Sequence, residues 1–123
     1  VSIALTLAAR PNVTVLLVGG RLCSRTLALV DDWAQQAYRD TFVDVAFIAT
    51  NGLSLGRGLT TPDPAEAIKR AALSAGRSRV LLADHTKVGK DHFARFGDLA
   101  DIDTFITEDA AQIEAAGPKI VTV

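Results

Sequence analysis

Four apolar residues, Val80-Leu81-Leu82-Ala83, run directly into Asp84-His85-Thr86-Lys87-Val88-Gly89-Lys90. A carboxylate, an imidazole, a hydroxyl and an amine follow one another within a single turn. Together they accept and donate hydrogen bonds and carry charge of either sign, which suits recognition of a small, charged, hydroxylated molecule. Open α/β sheets gather ligands outside the carboxyl ends of their strands, so the position suits recognition as well. On spacing alone, a polar loop closing off a core strand fits these residues equally well.

Two further strand-to-loop junctions carry related residues: Gly19-Gly20-Arg21, and Thr50-Asn51-Gly52 with Arg57-Gly58-Leu59-Thr60-Thr61. If their strands are neighbours, all three loops open on one edge of a sheet. Glycines there let backbone N–H groups approach an anion closely. Arg21, Arg57, Lys69 and Lys87 would supply positive charge to a phosphate, and Asp84, Asn51 and the threonines would bond sugar hydroxyls. The residues from Gly52 to Gly58 match neither G-x-G-x-x-G nor a P-loop, and each glycine by itself reads as a turn. A metal site has little support, because His85 and His92 are seven apart and have neither a Cys partner nor helical pairing. Cys23 near a helix start has no triad pattern around it, and a small apolar role suits it better. There is no G-x-S-x-G nucleophile elbow.

These loops need elements to position them. Ile3, Leu5, Leu7 and Ala8 predict a helix that stops before Pro11-Asn12. Val13-Thr14-Val15-Leu16-Leu17-Val18, closed by two glycines, reads as a strand buried on both faces. Ser24 is a candidate N-cap for a helix over about 25–38, with Leu27, Val30, Ala34 and Ala37 inward and Trp33 in core or interface. Residues 43–49 read as the next strand, followed by a Gly-rich loop over 53–61. Pro62-Asp63-Pro64 opens a helix capped by Asp63, with Glu66 near its positive end. Ala67, Ile68, Ala71, Ala72 and Leu73 form its inner face, and Gly76 ends it. Strands are expected over 79–83 and 104–107, a short one over 92–96, a helix from Glu108 or Asp109 to Gly117-Pro118, and a last strand over 119–123. Helices alternating with apolar strands give an α/β layer fold with a mainly parallel sheet flanked by helices and joined by right-handed crossovers.

The chain has 123 residues, about one domain, of which 49% are hydrophobic, enough for a core. A formal charge of −1 with no basic stripe argues against a nucleic-acid surface on this chain. One cysteine excludes an internal disulfide and fits a reducing, cytoplasmic setting. No apolar run approaches the roughly 20 residues of a membrane helix. The chain opens on a helix-like pattern and contains no Met, which reads as the C-terminal part of a longer protein.

Taken in order, several segments form a recognisable set. They are Val15-Leu16-Leu17-Val18-Gly19-Gly20-Arg21-Leu22, Asp44-Val45-Ala46-Phe47-Ile48-Ala49-Thr50-Asn51-Gly52, Gly58-Leu59-Thr60-Thr61 with Glu66-Ala67-Ile68-Lys69-Arg70-Ala71, Leu82-Ala83-Asp84-His85-Thr86-Lys87-Val88-Gly89 and Ile102-Asp103-Thr104-Phe105-Ile106-Thr107. Over nearly its whole length the chain resembles the C-terminal effector-sensing domain of DeoR-family transcriptional repressors. The resemblance implies a fold related to ribose-5-phosphate isomerase and glucosamine-6-phosphate deaminase, with Rossmann-like layers. It implies a phosphorylated sugar or related metabolite as effector, no cofactor, and self-association into a homo-oligomer. It further implies operator binding through an N-terminal winged helix-turn-helix that is absent here, and a sensor domain that itself begins upstream with a strand and a Gly-Thr-Thr type loop. Carried over by position, Gly20, Asn51, Gly52, Gly58, Thr60, Glu66, Lys69, Asp84 and Lys87 are expected to line or shape the effector site. Thr86 stands where Ser is common and keeps the hydroxyl. The alternative is a sugar-phosphate isomerase or deaminase, with Glu66 or Asp84 as general base. Such isomerases carry an acidic loop where this chain has Ala49-Thr50-Asn51-Gly52, and an amide takes up no proton, which favours sensing.

Overall fold

The structure, a computed structural model, describes residues 1–109, 113 and 117–123. A four-stranded, wholly parallel sheet lies at its centre, formed by β3 (Val43–Ala49), β6 (Gly76–Leu82), β8 (Thr104–Thr107) and β9 (Lys119–Thr122) in that spatial order. A second, antiparallel sheet of three short strands packs beside it: β4 (Gly52–Ser54), β5 (Gly58–Thr61) and β7 (Ala94–Gly97). Helix α3 (Lys69–Ala75) follows a 3-10 turn over Pro64–Ile68 and connects β5 to β6. Helix α2 (Asp32–Arg39) packs against α3. The α/β class and the mainly parallel sheet expected from sequence are both observed.

The core lies where the two larger sheets and α3 meet. Ile48, Leu81 and Phe105 come from the parallel sheet, Leu53, Leu59 and Phe96 from the antiparallel one, and Leu73 from α3. Burying each such side chain contributes about 1.5–3 kcal/mol, so this seam dominates the stability. Strand β3 alternates, with Ala46 and Ile48 inward and Val45 and Phe47 exposed, although its sequence is a nearly continuous apolar run.

The helix read before Pro11 is α1 (Ser2–Ala8), but it has no buried residue. The strand expected over residues 13–18 is absent: the segment has no regular structure, and Leu16 is 90% exposed. A β-branched run becomes a strand only where a neighbour takes its hydrogen bonds, and no described strand pairs with it. The helix expected over about 25–38 is shorter and starts later. Residues 21–30 instead form a two-stranded hairpin, β1 (Arg21–Leu22) with β2 (Leu29–Val30). The positive φ of Leu27 (55°) and Asp31 (88°) is incompatible with a continuing helix. Asp31, rather than Ser24, caps α2, accepting the Trp33 backbone N–H at 3.1 Å. Trp33 is 81% exposed and belongs to no core.

The Gly-rich segment over 53–61 is not a loop but the β4–β5 hairpin. Asp63 caps the following turn by accepting the Ala65 N–H at 2.9 Å, as expected. Ile68 and Leu73 are buried, while Ala71 and Ala72 are half-buried and the side chain at 67 lies outside those described. Gly76 ends α3, its N–H bonding to Leu73 O, and begins β6. The expected helix between Glu108 and Gly117 falls largely outside the described residues.

Candidate functional site

Parallel pairing places three strand ends level. Ala49 pairs with Leu82, and Leu82 pairs with Ile106. Two residues beyond each member of this row stand Asn51, Asp84 and Glu108. An amide and two carboxylates therefore line the carboxyl edge of three neighbouring strands, where an α/β sheet presents ligand-binding groups.

One wall of this edge is buried. Glu66 is almost wholly enclosed, and its Oε2 accepts from Thr61 Oγ1 at 3.0 Å and from Lys69 Nζ at 3.1 Å. An enclosed carboxylate is tolerable only with such partners, one of them charged. Lys69 Nζ also donates to Asn51 Oδ1 at 3.2 Å and lies 5.5 Å from the centre of the Phe96 ring. Beneath them the β4–β5 hairpin is pinned by two enclosed hydroxyls. Thr50 Oγ1 lies 2.8 Å from Gly52 O and 3.1 Å from Thr60 O, and Thr60 Oγ1 donates to Gly52 O at 3.2 Å. His92 closes the group: its N–H donates to Thr60 Oγ1 at 3.0 Å, and its Nε2 lies 3.1 Å from Asn51 O. A carbonyl only accepts, so Nε2 carries the proton. Gly52 is required here, since a Cβ would meet Lys90 O at 2.4 Å.

The other wall is a short exposed turn. After β6, Asp84 caps a 3-10 turn over His85–Lys87, its Oδ1 accepting the Thr86 N–H at 2.9 Å and the Thr86 hydroxyl. The Thr86 hydroxyl beside it holds the Asp84 carboxyl below its usual range. Lys87 Nζ is 3.8 Å from Asp84 Oδ2, a loose pair in water. The turn is tied to the first wall through Gly89, whose N–H donates to Leu53 O at 2.8 Å. On its other side, Glu108 Oε1 accepts the His85 backbone N–H at 3.0 Å and contacts His85 Nδ1 at 2.5 Å. Those bonds, the backbone one first, pull the Glu108 carboxyl down to about 2. The hydrogen bond to Glu108 raises the His85 imidazole.

Of the residues expected at the site, Asn51, Gly52, Thr60, Glu66 and Lys69 form one hydrogen-bonded group, and Asp84 and Lys87 form the adjoining turn. The remaining two stand apart. Gly58, at φ +72° with Gly97 O where its Cβ would be, shapes the far end of the hairpin next to Asp98. Gly20, at φ +143°, lies against Ala34 of α2 and the Val30 carbonyl of β2. So two of the three expected loops share the edge, while the Gly19-Gly20-Arg21 loop leads into the β1–β2 hairpin, whose β2 packs against the Pro64–Ile68 turn that carries Glu66. Sequence reasoning missed His92 and Glu108, and it read Thr50 and Thr61 as partners of sugar hydroxyls rather than as the enclosed supports they are. Of these, Glu108 was findable, because it ends a strand as Asn51 and Asp84 do.

A family profile described as the DeoR C terminal sensor domain matches residues 1–109. The chain is 39% identical over 114 residues to the HTH-type transcriptional regulator GlpR of Haloferax volcanii, covering 87% of this chain and 45% of the regulator. It is 30% identical over 105 residues to the deoxyribose operon repressor of Escherichia coli, covering 85% and 42%. Over 95 residues it is 28% identical to a lactose phosphotransferase system repressor of Staphylococcus epidermidis, covering 77% and 38%. The chain thus spans less than half the length of these relatives.

Proposed function

Because the chain belongs to the DeoR C-terminal sensor-domain family, we propose that it senses a phosphorylated sugar or related metabolite for an HTH-type transcriptional repressor. In this reading, effector binding controls operator binding by a winged helix-turn-helix that is not part of this chain. The protein works in the cytoplasm as a homo-oligomer. Relatives named for the deoxyribose operon and the lactose phosphotransferase system support a sugar-linked effector.

The observation that carries the reading is the level row of Asn51, Asp84 and Glu108, with Lys69 bonded to Asn51 and Lys87 beside Asp84. Lys87, loosely paired and partly exposed, is a cation available to a phosphate ester, whereas Lys69 is already held by Glu66 and Asn51. Asn51, Asp84 and Thr86 supply the mixed acceptors and donors that sugar hydroxyls need. The same geometry speaks against isomerase chemistry. Glu66 is committed to Thr61 and Lys69, and a carboxyl held low, as Asp84 is, makes a weak base.

Titration calorimetry with ribose 5-phosphate tests both halves. Saturable binding without turnover is expected, and conversion to the ketose at enzyme-like rates overturns the reading. Lys87→Ala is expected to weaken binding about tenfold, the worth of one charge-assisted contact, and to leave the melting temperature unchanged. Unaltered affinity removes Lys87 from the site.

A further inference from the structure

We propose that Glu108 is the positioning residue of the Asp84–Lys87 turn, and that its grip tightens when His85 takes up a proton. The consequence for a ligand rests on the sensing function proposed above, while the grip itself is a property of two adjacent strand ends.

Three contacts fasten the turn at its cap, its far end and its near end. Asp84 caps it from within, and Gly89 ties its far end to Leu53 of β4. Glu108 holds its near end from β8, taking both the main-chain N–H and the imidazole of His85 on one carboxylate oxygen. A main-chain bond fixes where the turn begins, and a side-chain bond fixes which way the ring lies. Glu108 is the side chain that reaches the turn from the end of the neighbouring parallel strand, just past the Ala83 N–H bond to Ile106 O, and its hydrogen bond raises the imidazole it holds.

The carboxylates around the ring favour its cationic form. Glu108 and Asp109 approach from the end of β8 and Asp84 from the turn itself, while Lys87 faces Asp84. Glu108 is ionised across the neutral range. A neutral imidazole with its hydrogen on Nδ1 still bonds Glu108, so losing the proton weakens the grip without breaking it. Lys87 is carried by this turn, so its direction toward a phosphate ester follows the state of the grip.

Two ligand-free measurements decide the proposal. Imidazole NMR resonances of His85 and His92 are followed with pH, His85 being assigned by its loss in His85→Gln. His85 is expected to titrate above 6.5 and to return toward 6.5 in Glu108→Gln. Native-state amide exchange at Val88 and Gly89, corrected for intrinsic rates, is expected to quicken about fivefold in Glu108→Ala, the worth of one hydrogen bond. Amides of β6 and β8 should not change. An ordinary His85 titration in the unsubstituted chain, or unaltered exchange in Glu108→Ala, overturns the proposal. Ribose 5-phosphate titrations at pH 6 and pH 8, with inorganic phosphate as control, separate the two readings. No binding at either pH with the ligand-free results as expected sinks sugar-phosphate sensing and leaves the grip standing. Binding with unaltered exchange does the reverse.

Discussion

Lys69 and Lys87 stand at neighbouring strand ends of one sheet edge in opposite surroundings. Lys69 is held by a carboxylate only 4% exposed and by the Asn51 amide, on a base of enclosed threonines. Lys87 is 37% exposed and 3.8 Å from a carboxylate that is itself half in water. The first lysine cannot leave its partners without stranding a buried charge. The second can change partners at little cost, since exposed pairs contribute only about 0–1 kcal/mol. The edge therefore has a fixed wall, which sets the shape, and an adjustable wall, which can answer a ligand. A sensor needs both, because a site with no adjustable part has nothing to transmit.

The sharpest test of this contrast is Glu66. Glu66→Ala leaves Lys69 without its counter-charge and Thr61 without its acceptor, and should cost about 3 kcal/mol. The value sits at the low end of the range because Lys69 keeps some access to water. Glu66→Gln keeps an acceptor and should cost less. Urea unfolding reads both, and a loss as small as for Lys87→Ala would erase the distinction between the walls.

Thr61→Val is the next largest effect. The change keeps the shape but removes the hydroxyl that donates to Glu66, so about 2 kcal/mol should be lost, as for other hydrogen bonds to charged groups. In the Glu66→Ala background the same substitution should cost far less, because its acceptor has gone. Additive losses would show that Thr61 and Glu66 do not act together.

Both walls were partly legible in the sequence, the Asp84–Lys87 turn more directly than the supports of the fixed wall. Val80-Leu81-Leu82 and Val13-Thr14-Val15-Leu16-Leu17-Val18 look alike as apolar runs, yet only the first is a strand. Strand β6 has β3 and β8 to take its hydrogen bonds, whereas residues 13–18 have no described neighbour. Strand formation is a property of pairs, and composition reports only one member. The β4–β5 hairpin read as a loop because Gly52, Gly56 and Gly58 weaken strand patterning, although Gly52 is there for close packing against Lys90. At the site, Asn51 and Lys69 were read from their residue types, Glu66 was added by family resemblance, and the structure joins all three directly. Thr61 and His92 are tied in by tertiary contacts that no local spacing announces. Glu108 was read as a helix cap, and its role emerges once β6 and β8 are known to be neighbours.

The smallest expected effect belongs to the adjustable wall and has a pH signature. Glu108 is lowered from 4.5 to about 2, so its contribution to stability is present above 4.5 and is lost as pH falls toward 2. His85 is raised, so its contribution is full below 6.5 and is lost as pH rises through its folded value. The stability difference between the natural chain and Glu108→Gln should therefore form a plateau from about pH 4.5 up to the raised His85 value, falling away on both sides. Adding His85→Gln to both proteins should remove the alkaline limb and keep the acid one, because the His85 main-chain N–H still reaches Glu108. Thermal melts between pH 3 and 9 supply the comparison. A flat difference curve would mean that Glu108 and His85 meet without consequence. A difference as large as that for Glu66 would mean that the turn, too, belongs to the fixed wall.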